Sequence, residues 1–222
     1  ESPPRHTHQG WSAITTGYRQ LIKTFREIRR LRITLLFLVI YWLYIDGVDT
    51  IVRMAVDYGM SIGFATDNLL LALAITQFVG FPASLAFGKL GQRIGTRAGL
   101  FISLAVYLGT TIWGYFLDQV WEFYALATTI GLVQGGIQAL SRSLYSRLIP
   151  HDRAAEFFGF YNMVGKFAAV IGPTLMGWFA VLPGNPRMGI LSIAILFIAG
   201  GICLYFVDEQ KGVAAAQQLE AH

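Results

Sequence analysis

The chain has 222 residues, of which 55% are hydrophobic and 14% charged, and its mean hydropathy is +0.53. A soluble domain carries roughly 25% charged residues, so the composition argues for a membrane protein. A single cysteine, Cys203 inside the last apolar run, and four histidines that lie outside the runs exclude a disulfide framework and a Cys/His zinc cluster and argue against intramembrane haem or metal. No cofactor is expected. The net charge of +4 is gathered in alternate loops, as a topology signal rather than a nucleic-acid footprint.

The chain opens with Glu1 and reads as a fragment or a processed product. Residues 1–10 contain Pro and His and are expected to be disordered. From Trp11 the apolar positions Trp11, Ile14, Tyr18, Leu21, Ile22, Phe25 and Ile28 follow helical spacing, with Arg and Lys opposite. This predicts an amphipathic helix, either lying on the cytoplasmic membrane surface or packed on neighbouring protein. Residues 1–32 thus form a cytoplasmic linker, 33–207 a six-helix transmembrane domain and 208–222 a cytoplasmic tail.

Six apolar runs follow, at about Ile33–Val56, Asn68–Phe87, Ala98–Leu117, Trp121–Leu144, Phe157–Leu182 and Met188–Val207. Each is near the ~20 residues that cross a bilayer as a helix. Breakers separate them, including GKLGQRIGTR after the second, IPHDRAAE after the fourth and LPGNPR after the fifth. Apart from Arg53, Lys166 and Arg187, the basic residues fall on one side of this alternation, which predicts both termini in the cytoplasm.

In the first span, Asp46, Asp49, Arg53 and Asp57 recur at three- and four-residue spacing and make one stripe. Intramembrane charges usually face a protein interior or a water-filled path. Arg53 can pair with Asp49 or Asp57, one turn away on either side, simply to orient the helix. Asp46 lies deepest, with no partner expected at i+4, which suggests a proton carrier; Asp49 is the other transport candidate. In the fourth span Gln134, Gln138 and Arg142 form one polar face, the amides suited to bonding a solute and Arg142 to a gate or a topology charge. Gly131 and Gly135 make a GxxxG, more often a packing seam than a site. Lys166 in the fifth span is open to three readings: snorkelling to the cytoplasm, meeting an anionic solute, or pairing with Asp46. Arg93 and Arg97 either pair with acidic groups or helix C-termini, or serve as topology charge.

Six spans with both ends inside, read as two three-helix repeats, resemble half of a major facilitator superfamily transporter. GKLGQRIGTR resembles that superfamily's cytoplasmic loop signature, with Gly88, Leu90, Arg93, Gly95 and Arg97 matching and Gln92 where an aspartate is usual. YIDGVDTI, GLVQGGIQALSRSLYSRLIP and AEFFGFYNMVGKFAAVIGP narrow the resemblance to the carboxy-terminal half of the vacuole-effluxer, autophagy-related branch. The resemblance covers nearly all of Ile33–Glu209. It implies an all-α transporter half that moves a small solute, an amino acid or related metabolite, by alternating access; the deep carboxylate of the first span adds the expectation of proton coupling. The partners implied are the lipid bilayer, the solute and a second six-helix half, either a homodimeric copy or a separate amino-terminal half. The implied location is a bacterial inner membrane. The competing expectation is a non-transporting receptor, assembly or lipid-interacting module. An intramembrane enzyme is disfavoured, because no span carries His and both Asp46 and Asp49 sit on one helix.

Overall fold

The computed structural model describes residues 24–182 and 184–220, apart from the side chains of Leu90 and Gln92. The start expected to be disordered, most of the expected amphipathic helix and the Gln92 side chain therefore lie outside the described residues. Lipid offers no hydrogen-bond partners, so the apolar runs must satisfy their backbone internally as helices. They do. Helix α1 covers 24–30, followed by α2 (Arg32–Ser61), α3 (Thr66–Ile94), α4 (Thr96–Tyr115) and α5 (Val120–Arg147). After a 3₁₀ turn at His151–Arg153 come α6 (Ala154–Lys166), α7 (Ile171–Val181), α8 (Pro186–Ser192), α9 (Ala194–Tyr205) and α10 (Glu209–Glu220). Among the described residues, six helical spans are long and apolar enough to cross a membrane, one for each predicted run.

Two spans depart from the expected continuous rods. The fifth is interrupted between α6 and α7, where Ala169 adopts a φ of 66°. Pro173 supplies the reason. In an unbroken helix its ring would clash with the Ala169 carbonyl, and it has no N–H to donate, so the helix restarts with proline in its first turn. The sixth span tightens at Ile193, whose N–H bonds the Ile190 carbonyl at 3.1 Å in 3₁₀ fashion.

The expected loop GKLGQRIGTR is almost entirely helical. Helix α3 runs on to Ile94, and Gly95 alone turns the chain into α4, with φ 88°. A side chain added at Gly95 would meet nothing within 4 Å, so Gly95→Ala isolates the backbone strain. It is expected to cost about 1–2 kcal/mol, measurable as a lowered thermal midpoint in detergent.

Span 4 (α5) is flanked by spans 2 and 3 (α3 and α4), and span 1 (α2) by the broken spans 5 and 6. Exchanging the first three spans for the last three preserves this pattern, as two three-helix repeats would require. The two flanks are unequal. α3 lies along α5 so closely that a Cβ at Gly131 would stand 2.7 Å from the Thr76 carbonyl oxygen, and one at Gly135 2.6 Å from the Ser84 Cβ. The GxxxG is thus a helix seam. Thr76 adds a side-chain bond to the Ala127 carbonyl at 3.1 Å.

At the face holding both described ends of the chain, two short helices clasp the bundle. Thr24 and Ile28 of α1 are buried, Arg153 grips the Glu27 carboxylate through both guanidinium nitrogens, and Thr24 donates to Glu156 at 3.3 Å. Residues 24–30 therefore follow the packed alternative for the leading helix. On the other flank α10 sets Gly212 against Leu148 and Ile33, and Arg147 meets Glu209 at 2.9 Å. Asp208 starts α10 by accepting from the Lys211 amide at 3.2 Å, and the Lys211 side chain holds its carboxyl below the usual carboxylate range.

Candidate functional site

The charged stripe of α2 divides in two. Asp46 is fully buried, and its carboxylate accepts from the Ile171 N–H at 2.9 Å and the Gly172 N–H at 3.1 Å. Those are the first amides of α7, which have no partner within their own helix. The i+4 position is also occupied, since Thr50 donates to Asp46 at 3.4 Å. This corrects the picture of a partnerless deep acid: Asp46 caps a half-helix of a neighbouring span. Space there is tight, for a Cβ at Gly172 would fall 2.0 Å from Thr50 Oγ1.

Asp49 and Arg53 instead turn to an open face. The Asp49 side chain is 27% exposed and that of Arg53 67%, with 3.8 Å between the nearest charged atoms. Arg53 thus takes Asp49 rather than Asp57 as its partner, and loosely, while Asp57 is exposed. Tyr44 of α2 and Ser141 of α5 share a buried hydrogen bond of 2.6 Å. At roughly 100° per residue, Gln134, Gln138 and Arg142 flank Ser141 on one side of α5. Gln134 and Gln138 are half-buried and Arg142 exposed, and none of the three side chains has a hydrogen-bond partner among the described residues. Arg142 and Asp49 both lie within electrostatic reach of the Tyr41 hydroxyl. Arg53 and Asp49 pair on the open side of α2, Gln134, Gln138 and Arg142 lie on the side of α5 next to its contact with Tyr44, and Asp46 turns away to α7.

An aromatic plug underlies the face and was not apparent from spacing. Tyr41 stacks on Tyr161 with ring centroids 4.2 Å apart, Tyr161 on Tyr145 at 4.9 Å, and Tyr145 donates to the Phe157 carbonyl at 3.0 Å. The three rings come from spans 1, 5 and 4, so only the i, i+3 pair Tyr41 and Tyr44 leaves a trace in the sequence.

Lys166 ends α6 beside the break, is exposed, and makes no ion pair among the described residues. The Lys166–Asp46 pairing is therefore not formed. Next to it, Trp42 donates to the Phe167 carbonyl at 3.3 Å, so α2 contacts the interruption on both sides. Of the loop residues, Gly88 lies on the exposed surface of α3, Gly95 makes the turn and Arg93 is exposed. Arg97 donates to the Tyr205 carbonyl at the end of α9, with its guanidinium 5.9 Å from the ring centres of Phe101 and Tyr205. For Arg97 the helix C-terminus is thus the partner.

The family model described as "Vacuole effluxer Atg22 like" matches residues 1–217. The chain is 38% identical over 220 residues to an uncharacterized MFS-type transporter, YxiO, of Bacillus subtilis, covering 96% of this chain and 51% of that protein. It is 31% identical over 232 residues to autophagy-related protein 22 of Yarrowia lipolytica, covering 97% of this chain and 38% of that protein. A further relative, autophagy-related protein 22-2 of Aspergillus oryzae, is 29% identical over 92% of this chain and 37% of its own length. The chain spans about half the length of the bacterial relative and less of the fungal ones.

Proposed function

The chain belongs to the vacuole effluxer Atg22-like family, and from that premise we propose that it is the carboxy-terminal half of a secondary transporter for a small zwitterionic solute such as an amino acid. The observation that carries this reading is the pair of half-buried amides, Gln134 and Gln138, with hydrogen-bonding groups unused among the described residues, on the helix that the Tyr44–Ser141 bond ties to the span bearing Asp49. Partly desolvated polar groups without partners are costly unless something else satisfies them. A solute ammonium suits Asp49, a carboxylate suits Arg142 or Arg53, and the amides fix orientation between them. The other wall is supplied by a second six-helix half, an amino-terminal half or another copy, with the site near mid-membrane and rocking of the halves alternating its access. Asp49, half-buried with only a loose partner, is the coupling acid if a proton moves with the solute. The basic face lies in the cytoplasm, following the distribution of positive charge.

The test is amino-acid counterflow in proteoliposomes, with the full protein containing this half. Gln134→Leu combined with Gln138→Leu is expected to lower counterflow about tenfold or more through loss of hydrogen bonds made to solute, at an unchanged thermal midpoint. Full counterflow in that variant would remove the two amides from the site and with them the main support for this reading.

A further inference from the structure

Residues 171–182 and 184–192 form a helical hairpin whose two ends both fall at interruptions. From the clasped face, α6 rises through 13 residues before the first and α9 accounts for 12 beyond the second. At 1.5 Å per residue both interruptions lie about 18–20 Å from that face, at matching depth. The first holds Ala169 in the left-handed region, a strained setting for a residue with a Cβ. The second is the 3₁₀ tightening at Ile193, a geometry that in mid-helix often marks a hinge.

Between these points the hairpin is tightly made. A Cβ at Gly189 of α8 would stand 2.6 Å from the Met176 carbonyl oxygen of α7, so the two backbones nearly touch. Gly184 turns the tip with φ 65°, and Asn185 caps α8 by accepting from the Arg187 N–H at 3.0 Å. Among the described residues, the hydrogen bonds between the hairpin and the rest of the bundle fall in two places. At its deep end Asp46 takes the first two amides of α7. At its tip Arg187 donates to the Tyr115 carbonyl at 3.2 Å and meets Asp118 at 2.6 Å. Between these points its contacts with the core are apolar, Ile190 lying against Gly114 and Met176 buried. Met176, Ile190 and Ile193 nevertheless line a cavity of about 60 Å³ together with Ile51, Tyr58 and Phe123. Interiors are normally close-packed, so an apolar cavity here leaves room for the hairpin to tilt.

We propose that this hairpin moves as one body on hinges at 167–170 and 193, and that Asp46 and Arg187 are its two latches, positioning residues that act through the hairpin. The inference deepens the transporter reading, because a two-hinged flap beside the open face is a gate for the half of the membrane away from the clasp. Its mechanical content does not depend on any solute.

The test is hydrogen exchange on the full protein in nanodiscs, comparing Asp46→Ala, Asp46→Asn and Arg187→Ala with the parent. If the hairpin is one body, releasing either end frees all of it. Both alanine variants are expected to speed exchange about tenfold across 171–192, with α6 and spans 1 to 4 at parental rates. Asp46→Asn keeps one acceptor oxygen and is expected to fall between parent and Asp46→Ala. The proposal is overturned if Asp46→Ala loosens only the start of α7 and Arg187→Ala only the tip. It is equally overturned if exchange rises throughout the bundle or does not change. Counterflow on the same samples separates the two readings: a hairpin response without transport in the parent leaves the flap standing and removes the carrier.

Discussion

Gly131→Leu is expected to prevent or severely weaken assembly of the bundle, and Gly131→Ala to cost about 1–3 kcal/mol, the range for overpacking a filled interface. The atom in the way is the main-chain carbonyl oxygen of Thr76, 2.7 Å from where the new Cβ would be, with the Thr76 Cα and Val79 Cβ at 3.2 Å. A flexible side chain could rotate aside; a backbone cannot. Separating α3 from α5 would also break the Thr76 bond to the Ala127 carbonyl. Without a hydrophobic driving force between helices in lipid, such close contacts supply much of the association energy. Gly109→Ala is the control: that position has open space around it, so the change should leave the thermal midpoint level or slightly raised. Thermal unfolding in one detergent reads all three variants.

The second large effect contrasts two acids one turn apart. Asp49→Asn is expected to leave the fold intact and lower solute flux by about 30- to 100-fold, the equivalent of losing one charge-assisted bond to the solute. The Asp49 side chain is 27% exposed and that of Arg53 67%, so their contact at 3.8 Å contributes little to stability. Asp46→Ala is expected to do the reverse first: it strips the buried amides of Ile171 and Gly172 of their acceptors, at about 2–3 kcal/mol. Flux measured against folded protein, alongside the midpoint of each variant, separates the two roles. Equal flux in Asp49→Asn and the parent would take Asp49 out of the transport path.

How far each feature was legible follows from which forces are local. The six spans were readable because crossing lipid imposes a length and a composition on every run. The seam at Gly131 and Gly135 was readable because small residues at that spacing have one usual structural use. The division of the acidic stripe was not. Helical spacing fixes the direction in which Asp46 and Asp49 point but not what stands opposite, and the two differ because a broken helix meets one and an open face the other. The break itself had a local signal in Pro173, whose clash with a residue four positions earlier can be written down from sequence; the hydrophobicity of the whole run concealed it. The tyrosine plug, assembled from three spans, had almost none.

The one-residue turn at Gly95 restricts how the bundle can deform. Successive Cα atoms are about 3.8 Å apart, so α3 and α4 can hardly slide lengthwise past each other at that end. They behave like scissor blades on a common pin, free to splay or rotate while sharing their pivot. Compliance in this pair is pushed to the opposite ends of the rods, where residues 62–65 and 116–119 give the chain slack. Lengthening the turn by a few flexible residues would convert the pin into a tether, uncoupling two helices that now have to travel together.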